Sequence, residues 1–181
     1  MAEISNDTIE KASRGDVDAF EVIYKEYFSF VANLALRVVN RREEAEEVAQ
    51  DVFMTIFRNL KNFRFESSLK TWIYRVTVNT AINHAKRFSK HEAVEYTEAL
   101  SVAAPVDNAV QENLSEENIS RLLTAVTADQ RACLVLRAVE GLSYQEIADT
   151  LKIPVNTVRS RIKRAREAMI ALRKEVIKNA L

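Results

Sequence analysis

Asn156, Arg159, Ser160 and Lys163 fall on one side of a helix read at 3.6 residues per turn, with Arg164 at its edge. Val158, Ile162, Ala165 and Met169 fall on the opposite stripe. Guanidinium, ammonium, hydroxyl and amide groups gathered on one face can bond base edges and neutralise phosphates, and an α-helix fits the major groove. A solvated basic face on an ordinary surface helix has a similar composition.

The residues in front of this face favour the first reading. Gly141 permits a left-handed turn that ends one helix, and Ser143 with Glu146 forms a capping pair for the next. Ile147, Ala148 and Leu151 face inward, and Pro154 suits the first turn of the following helix. Each signal has its own geometric reason, and together they spell a helix-turn-helix over 141–159.

A second chemical surface lies upstream. Trp72, Arg75, Asn79, Asn83 and Lys86 share one broad sector of a helix expected from about Leu69 to Phe88. An aromatic face interleaved with cations and amides suits unstacked single-stranded bases. Periodicity alone leaves open that Trp72 is a core residue and Arg75 an ion-pair partner. Leu69, Ile73 and Val76 form the neighbouring stripe expected to be buried, while Tyr74, Val78 and Ile82 lie on yet another side.

Other chemistry finds little material. His84 and His91 stand seven apart without a partnered carboxylate motif, which reads as a surface role. The single cysteine, Cys133, sits in an apolar periodic run and reads as core. No cluster of acids with metal-ligand spacing and no activated nucleophile is evident, so no metal, cofactor, small-molecule substrate or enzymatic activity is expected.

The elements that position these residues are helices. Glycine is confined to Gly15 and Gly141 and proline to Pro105 and Pro154, leaving almost no material for hairpins or phosphate-binding loops. Asp7 with Glu10 reads as the cap of a short helix closed by Gly15, and Asp16 as the cap of a long one. In the long helix Phe20, Ile23, Tyr24, Tyr27, Val31, Leu34, Ala35 and Val38 form one stripe; after a break, Asn40 with Glu43 caps a helix carrying Ala45, Val48, Ala49, Val52, Phe53 and Ile56. Ser67 or Ser68 caps the fourth helix, and Thr127 with Gln130 caps a helix bearing Leu134, Leu136 and Val139. The expected fold is all-α, with two helical domains over 1–90 and 115–181 joined by a flexible linker over 91–114.

Charge is distributed accordingly. The 181 residues balance 26 basic against 26 acidic groups, yet 91–115 hold five acids and no base, whereas 155–174 hold seven bases and one acid. An acidic strap avoids phosphates. No basic-then-apolar leader and no apolar run of about eighteen residues is present, which leads to an expectation of a cytoplasmic protein.

Taken together, Glu44 to Phe53, Ser67 to Val76 and Gly141 to Arg166 resemble an extracytoplasmic-function sigma factor, the compact bacterial type that keeps only the second and fourth sigma domains. The resemblance covers nearly the whole chain. It implies core RNA polymerase and promoter DNA as partners, with an anti-sigma factor that can hold the protein at the membrane. It puts Glu47, Gln50 and Asp51 on the clamp coiled coil of the polymerase largest subunit; on sequence alone they equally fit a solvated helix face. It puts Trp72, Arg75, Asn79, Thr80 and Asn83 at the melted minus-ten element, with Lys86 and Arg87 on the adjacent backbone. It puts Asn156, Thr157, Arg159, Ser160, Lys163 and Arg164 at the minus-thirty-five element, with Tyr144 close to a phosphate. Two positions depart from the pattern: Asn156 replaces a frequent glycine, and Val126-Thr127 stands where many relatives have Leu-Pro.

The competing reading is a helix-turn-helix regulator whose first module senses a signal or dimerises. A recombinase-like enzyme or a purely structural helical adaptor accounts for fewer of the residues.

Overall fold

The computed structural model describes residues 4–95 and 122–179, with side chains over 4–88 and 122–174. Its elements are α1 (Asn6–Ser13), α2 (Val17–Val39), α3 (Arg42–Asn59), a 3-10 turn (Leu60–Asn62), α4 (Leu69–Glu95), α5 (Ala128–Ala138), α6 (Tyr144–Leu151) and α7 (Val155–Asn179). No strand occurs among the described residues. Contacts divide the chain into two compact units, Met1–His84 with Asp149–Lys152, and Ala85–Ala148 with Ile153–Leu181. Most of the expected acidic strap, from residue 96 to 114, lies outside the described residues.

In the first unit, short-range hydrogen bonds set the helix ends. The Ser5 hydroxyl, and not Asp7, caps α1 by accepting from the Thr8 amide at 3.2 Å. Asp7 lies inside the first turn, where its negative charge suits the helix dipole. Gly15, with φ of 94°, makes the reversal, and Asp16 caps α2 by accepting from the Ala19 amide at 2.9 Å. Asn40 does not cap α3. It closes α2 in the left-handed conformation, φ 64°, donating its amide to the Leu36 carbonyl. An asparagine tolerates that conformation better than other non-glycine residues, so the same residue type serves a helix end as readily as a helix start.

The buried stripe of α2 is Ile23, Tyr27, Val31, Leu34, Ala35 and Val38, and it packs on α3. Phe20 is half-buried and Tyr24 exposed, so the outer edge of the expected stripe is not core. All six apolar residues expected on α3 are buried. Helix α4 starts at Ser68, whose hydroxyl accepts from the Thr71 amide at 3.1 Å. Its core face is Ile73, Tyr74, Thr77, Val78, Ala81 and Ile82. Leu69 is also buried, but Val76 is only half-buried, so the core side is centred on the residues that the simple stripe left over. The reason is two-sided packing: Tyr74 meets Phe30 of α2 at 4.6 Å between ring centroids, while His84 meets α3. Buried Thr77 satisfies its hydroxyl by donating to the Ile73 carbonyl at 2.8 Å. Beyond Phe88 the helix continues to Glu95, because nothing there breaks it.

In the second unit a capping box starts α5: the Thr127 amide donates to Gln130 Oε1 at 3.0 Å and the Gln130 amide to Thr127 Oγ1 at 3.4 Å. Ala132, Cys133 and Leu136 are fully buried, whereas Val139 is exposed. Gly141 turns the chain with φ 72°, and the Leu142 amide donates to the Leu136 carbonyl at 3.0 Å. A second capping box opens α6, Ser143 amide to Glu146 Oε2 at 2.7 Å and Glu146 amide to Ser143 Oγ at 3.2 Å. Hydrogen bonding to the Glu146 carboxylate, first from the Ser143 hydroxyl and then from its backbone amide, favours the ionised form and lowers its pKa from the ordinary carboxylate value. Helix α6 closes through Lys152 at φ 53°, with the Ile153 amide on the Ala148 carbonyl. Pro154 sits just before α7, its carbonyl accepting from the Thr157 and Val158 amides. Val158, Ile162 and Ala165 are buried, and Ala165 joins Leu123 and Val126 in a cluster against which Leu134 and Met169 pack.

Candidate nucleic-acid interface

Helix α7 divides its charges between structure and surface. Arg161 is turned inward, pairing with Asp129 of α5 at 3.0 Å, and it draws that helix against α7. Arg159, Ser160, Lys163 and Arg164 are exposed, as is Asn156, while Thr157 is half-buried. Asn156 Oδ1 accepts from Arg159 at 3.4 Å, and Ser160 donates its hydroxyl to the Thr157 carbonyl at 2.9 Å. Lys163 lies 3.8 Å from Glu167, with both side chains well exposed, so this pair is weak and easily exchanged for phosphate. Of the basic run, then, three cations face out from Arg159 to Arg164 and one is consumed by the fold.

Tyr144 opens α6, half-buried, with the Arg137 guanidinium 5.3 Å from its ring centroid. Arg137 also donates to the Leu142 carbonyl at 2.9 Å. Sequence reading did not single out Arg137, because its pairing with Tyr144 depends on the turn between α5 and α6.

Cys133, on α5, is buried. Burial pushes its thiol up, and the nearby Arg161 offsets part of that shift. Such a thiol is inert packing.

On α4, which belongs to the first unit up to His84 and to the second from Ala85, the outer sector stands opposite the core. Trp72, Arg75, Asn79, Asn83 and Lys86 span about 80° of the helix circumference at roughly 100° per residue. Trp72, Arg75, Asn79 and Thr80 are half-buried, and Asn83, Lys86 and Arg87 exposed. The Lys86 ammonium is 2.8 Å from an Asp129 carboxylate oxygen, both groups belonging to the second unit.

At the start of this sector an open pocket of about 470 Å³ is lined by Asn62, Phe63, Arg64, Glu66, Trp72 and Arg75, among others. The Phe63 and Trp72 rings are 5.5 Å apart. Arg75 brings a donor to the pocket, and its Nε is buried without a hydrogen-bond partner among the described residues. A buried donor left unpaired costs about 1–3 kcal/mol. Phe63 and Arg64 escaped the sequence reading because the loop carries no periodic signal; only the folded turn brings them to Trp72.

The third candidate group lies on α3. Glu47, Gln50 and Asp51 are all exposed on one helix face, which continues along the helix to Met54 and Phe57, also exposed. His84 is not a surface residue. Its side chain is 15% exposed, Nε2 lying 3.1 Å from Glu47 Oε2 and Nδ1 3.6 Å from Glu44 Oε2, so it links α4 to α3. Among the described residues no helix is long and apolar enough to cross a membrane, and no group of three potential metal ligands occurs.

Comparison with known proteins agrees with this geometry. Residues 23–91 match the model of sigma-70 region 2, and residues 116–169 match that of sigma-70 region 4. The RNA polymerase sigma-H factor of Pseudomonas aeruginosa is 37% identical over 172 residues, covering 89% of both chains. The ECF RNA polymerase sigma-E factor of Escherichia coli K12 is also 37% identical, covering 89% of this chain and 90% of the relative. The chain belongs to the extracytoplasmic-function sigma factors of RNA polymerase. It is therefore a transcription-initiation factor, and the region 2 match over 23–91 removes the reading of that module as a sensor or dimeriser.

Two solved structures share the sigma-factor fold. The sigma factor RpoE of Bartonella quintana, in complex with the anti-sigma factor NepR, aligns with a TM-score of 0.64 at 21% identity, covering 88% of this chain and 96% of its own. CnrH, in complex with the cytosolic domain of CnrY, aligns with a TM-score of 0.63 at 22% identity, covering 93% and 96%.

Proposed function

We propose that this sigma factor delivers core RNA polymerase to a promoter through three separate faces and makes or breaks no bond itself. Residues 1–90 form the module that docks polymerase and holds the minus-ten element, 91–114 the acidic connection, and 115–181 the module that reads the minus-thirty-five element. The two family matches, 23–91 and 116–169, follow those modules to within one residue and support the division.

The observation that carries the reading is the pocket beside α4. It offers aromatic rings for stacking and Arg75 for hydrogen bonding, and Asn79, Thr80 and Asn83 continue from it along the side of the helix that avoids the core. An unstacked base of the opened strand fits such a pocket, since stacking serves any base and directed donors select among them. Lys86 and Arg87 then take the neighbouring backbone. On α7, Arg159 and Asn156 approach base edges while Lys163 and Arg164 neutralise phosphates, and Tyr144 reaches a phosphate. Thr157 and Ser160 complete the contact surface.

Glu47, Gln50 and Asp51 are the polar part of the polymerase-docking face, and exposed Met54 and Phe57 supply an apolar part. An anti-sigma factor is a further proposed partner; the related RpoE is held by one.

Run-off transcription with core polymerase tests the reading. Promoter-dependent initiation is expected, and the pair Trp72→Ala with Asn79→Ala is expected to abolish opening while leaving polymerase binding intact. Unchanged initiation by that double variant rejects the melting role.

A further inference from the structure

Next to the pocket, Phe65 has a backbone that its residue type disfavours. Its φ is 57°, a region that L residues with a Cβ enter at a cost and that bulky side chains rarely occupy. Burial does not compensate fully, for the side chain remains 45% exposed. Its ring rests on Phe63 at 4.9 Å between centroids, and Phe63 in turn meets Trp72 at 5.5 Å. Phe65 thus ends a row of three rings whose other two line the pocket, and it presents aromatic surface outside that pocket. A glycine here would remove the conformational penalty and a polar residue would remove the exposed apolar surface. Strain held next to a binding site is where a functional role is to be sought.

We propose that Phe65 is a second aromatic platform, on which a base of the opened strand adjacent to the captured one stacks. Stacking on an exposed π-face is tolerant of base identity and needs no hydrogen-bond partner, which is what an aromatic ring at an open loop can offer. The inference rests on the pocket beside α4 being the site of the opened strand. It adds a residue that lies outside the pocket and was not among the candidates read from the sequence.

The test uses holoenzyme assembled from core polymerase and the full chain, with a fluorescent single-stranded oligonucleotide taken from the non-template strand of a promoter transcribed in the run-off assay. Phe65→Gly and Phe65→Asn both accept a positive φ and lack the ring; each is expected to weaken binding about five- to tenfold, the lower part of the range for one stacked base. Phe65→Tyr is expected to bind like the parent, and Phe65→Leu like the ringless variants. Thermal unfolding of Phe65→Gly is expected at or above the parent temperature, which separates lost stacking from lost folding. Parent-like affinity of Phe65→Asn or of Phe65→Leu overturns the proposal. Trp72→Ala serves as reference: if it weakens binding while Phe65→Asn does not, only the platform fails; if neither weakens it, the single-strand reading of the pocket fails too.

Discussion

Replacing Gly141 by alanine isolates one energetic term in the turn that leads into the helix-turn-helix. The residue has φ 72°, and a Cβ built on it meets no heavy atom within 4 Å. Steric conflict with neighbours is therefore absent, and the cost is the conformational one, about 1–2 kcal/mol for an L residue in the left-handed region. Restricting the unfolded chain returns about 0.4–1 kcal/mol, so the net loss is about 1 kcal/mol. For a domain of this size that lowers the unfolding temperature by roughly 4–8 °C. Hydrogen exchange offers a local readout, because the Leu142 amide, bonded to the Leu136 carbonyl at 3.0 Å, depends on the same turn. Gly141→Asn is expected to recover most of the loss, since asparagine tolerates positive φ. Gly15→Ala is the companion variant in the other unit: φ is 94° and the space is also open, so a similar cost is expected there. The outward face of α7 is untouched by Gly141→Ala, and DNA affinity well below the transition should change by less than about twofold, as a loss of this size leaves the folded state dominant. An alanine variant as stable as the parent would refute the backbone argument. A loss of about 3 kcal/mol or more would instead reveal a clash that the open space rules out.

Further expectations concern the three faces and the core. Lys163→Ala should reduce the slope of log affinity against log salt for minus-thirty-five duplex by about 0.9, measured by anisotropy titrations, whereas Arg159→Ala should cost about 1–3 kcal/mol and relax preference at one base pair. Phe57→Asp removes an edge-on contact with Phe20, 4.9 Å between centroids, which costs about 0.5–1.5 kcal/mol and lowers the unfolding temperature by a few degrees, and it should weaken core polymerase binding about tenfold or more in a pull-down titration at a temperature where the variant is folded. Cys133 should resist iodoacetamide in the native protein and react on unfolding. Because burial raises its pKa above the ordinary 9.0, its contribution to stability is complete below pH 9.0 and is lost as pH rises through the folded value; Cys133→Ala should flatten that alkaline decline.

Much of this sigma factor is legible in local pattern. Capping boxes at Thr127–Gln130 and Ser143–Glu146 are bonds between residues three apart and so are set locally, although the similarly spaced pairs Asp7–Glu10 and Asn40–Glu43 do not form them. The stripes of α3 and α7 reflect burial on one side only, the condition under which periodicity is informative. The left-handed turns at Gly15 and Gly141 follow from the one residue type without a Cβ.

What tertiary structure decided are the matters settled by partners distant in sequence. Helix α4 packs on two neighbours, so its buried arc is wide and centred on Thr77 and Ala81, a pattern that no single stripe reveals. His84 reads as a surface residue until α3 brings Glu44 to it, and Glu47 across 37 positions of chain. Arg161 resembles its neighbours Arg159 and Lys163 in sequence, and only Asp129 of another helix draws it inward. The pocket at Trp72 needs an aperiodic loop folded back on α4. Local hydrogen bonds are encoded by spacing, but burial and pairing depend on which surfaces meet, and that is fixed by the whole chain.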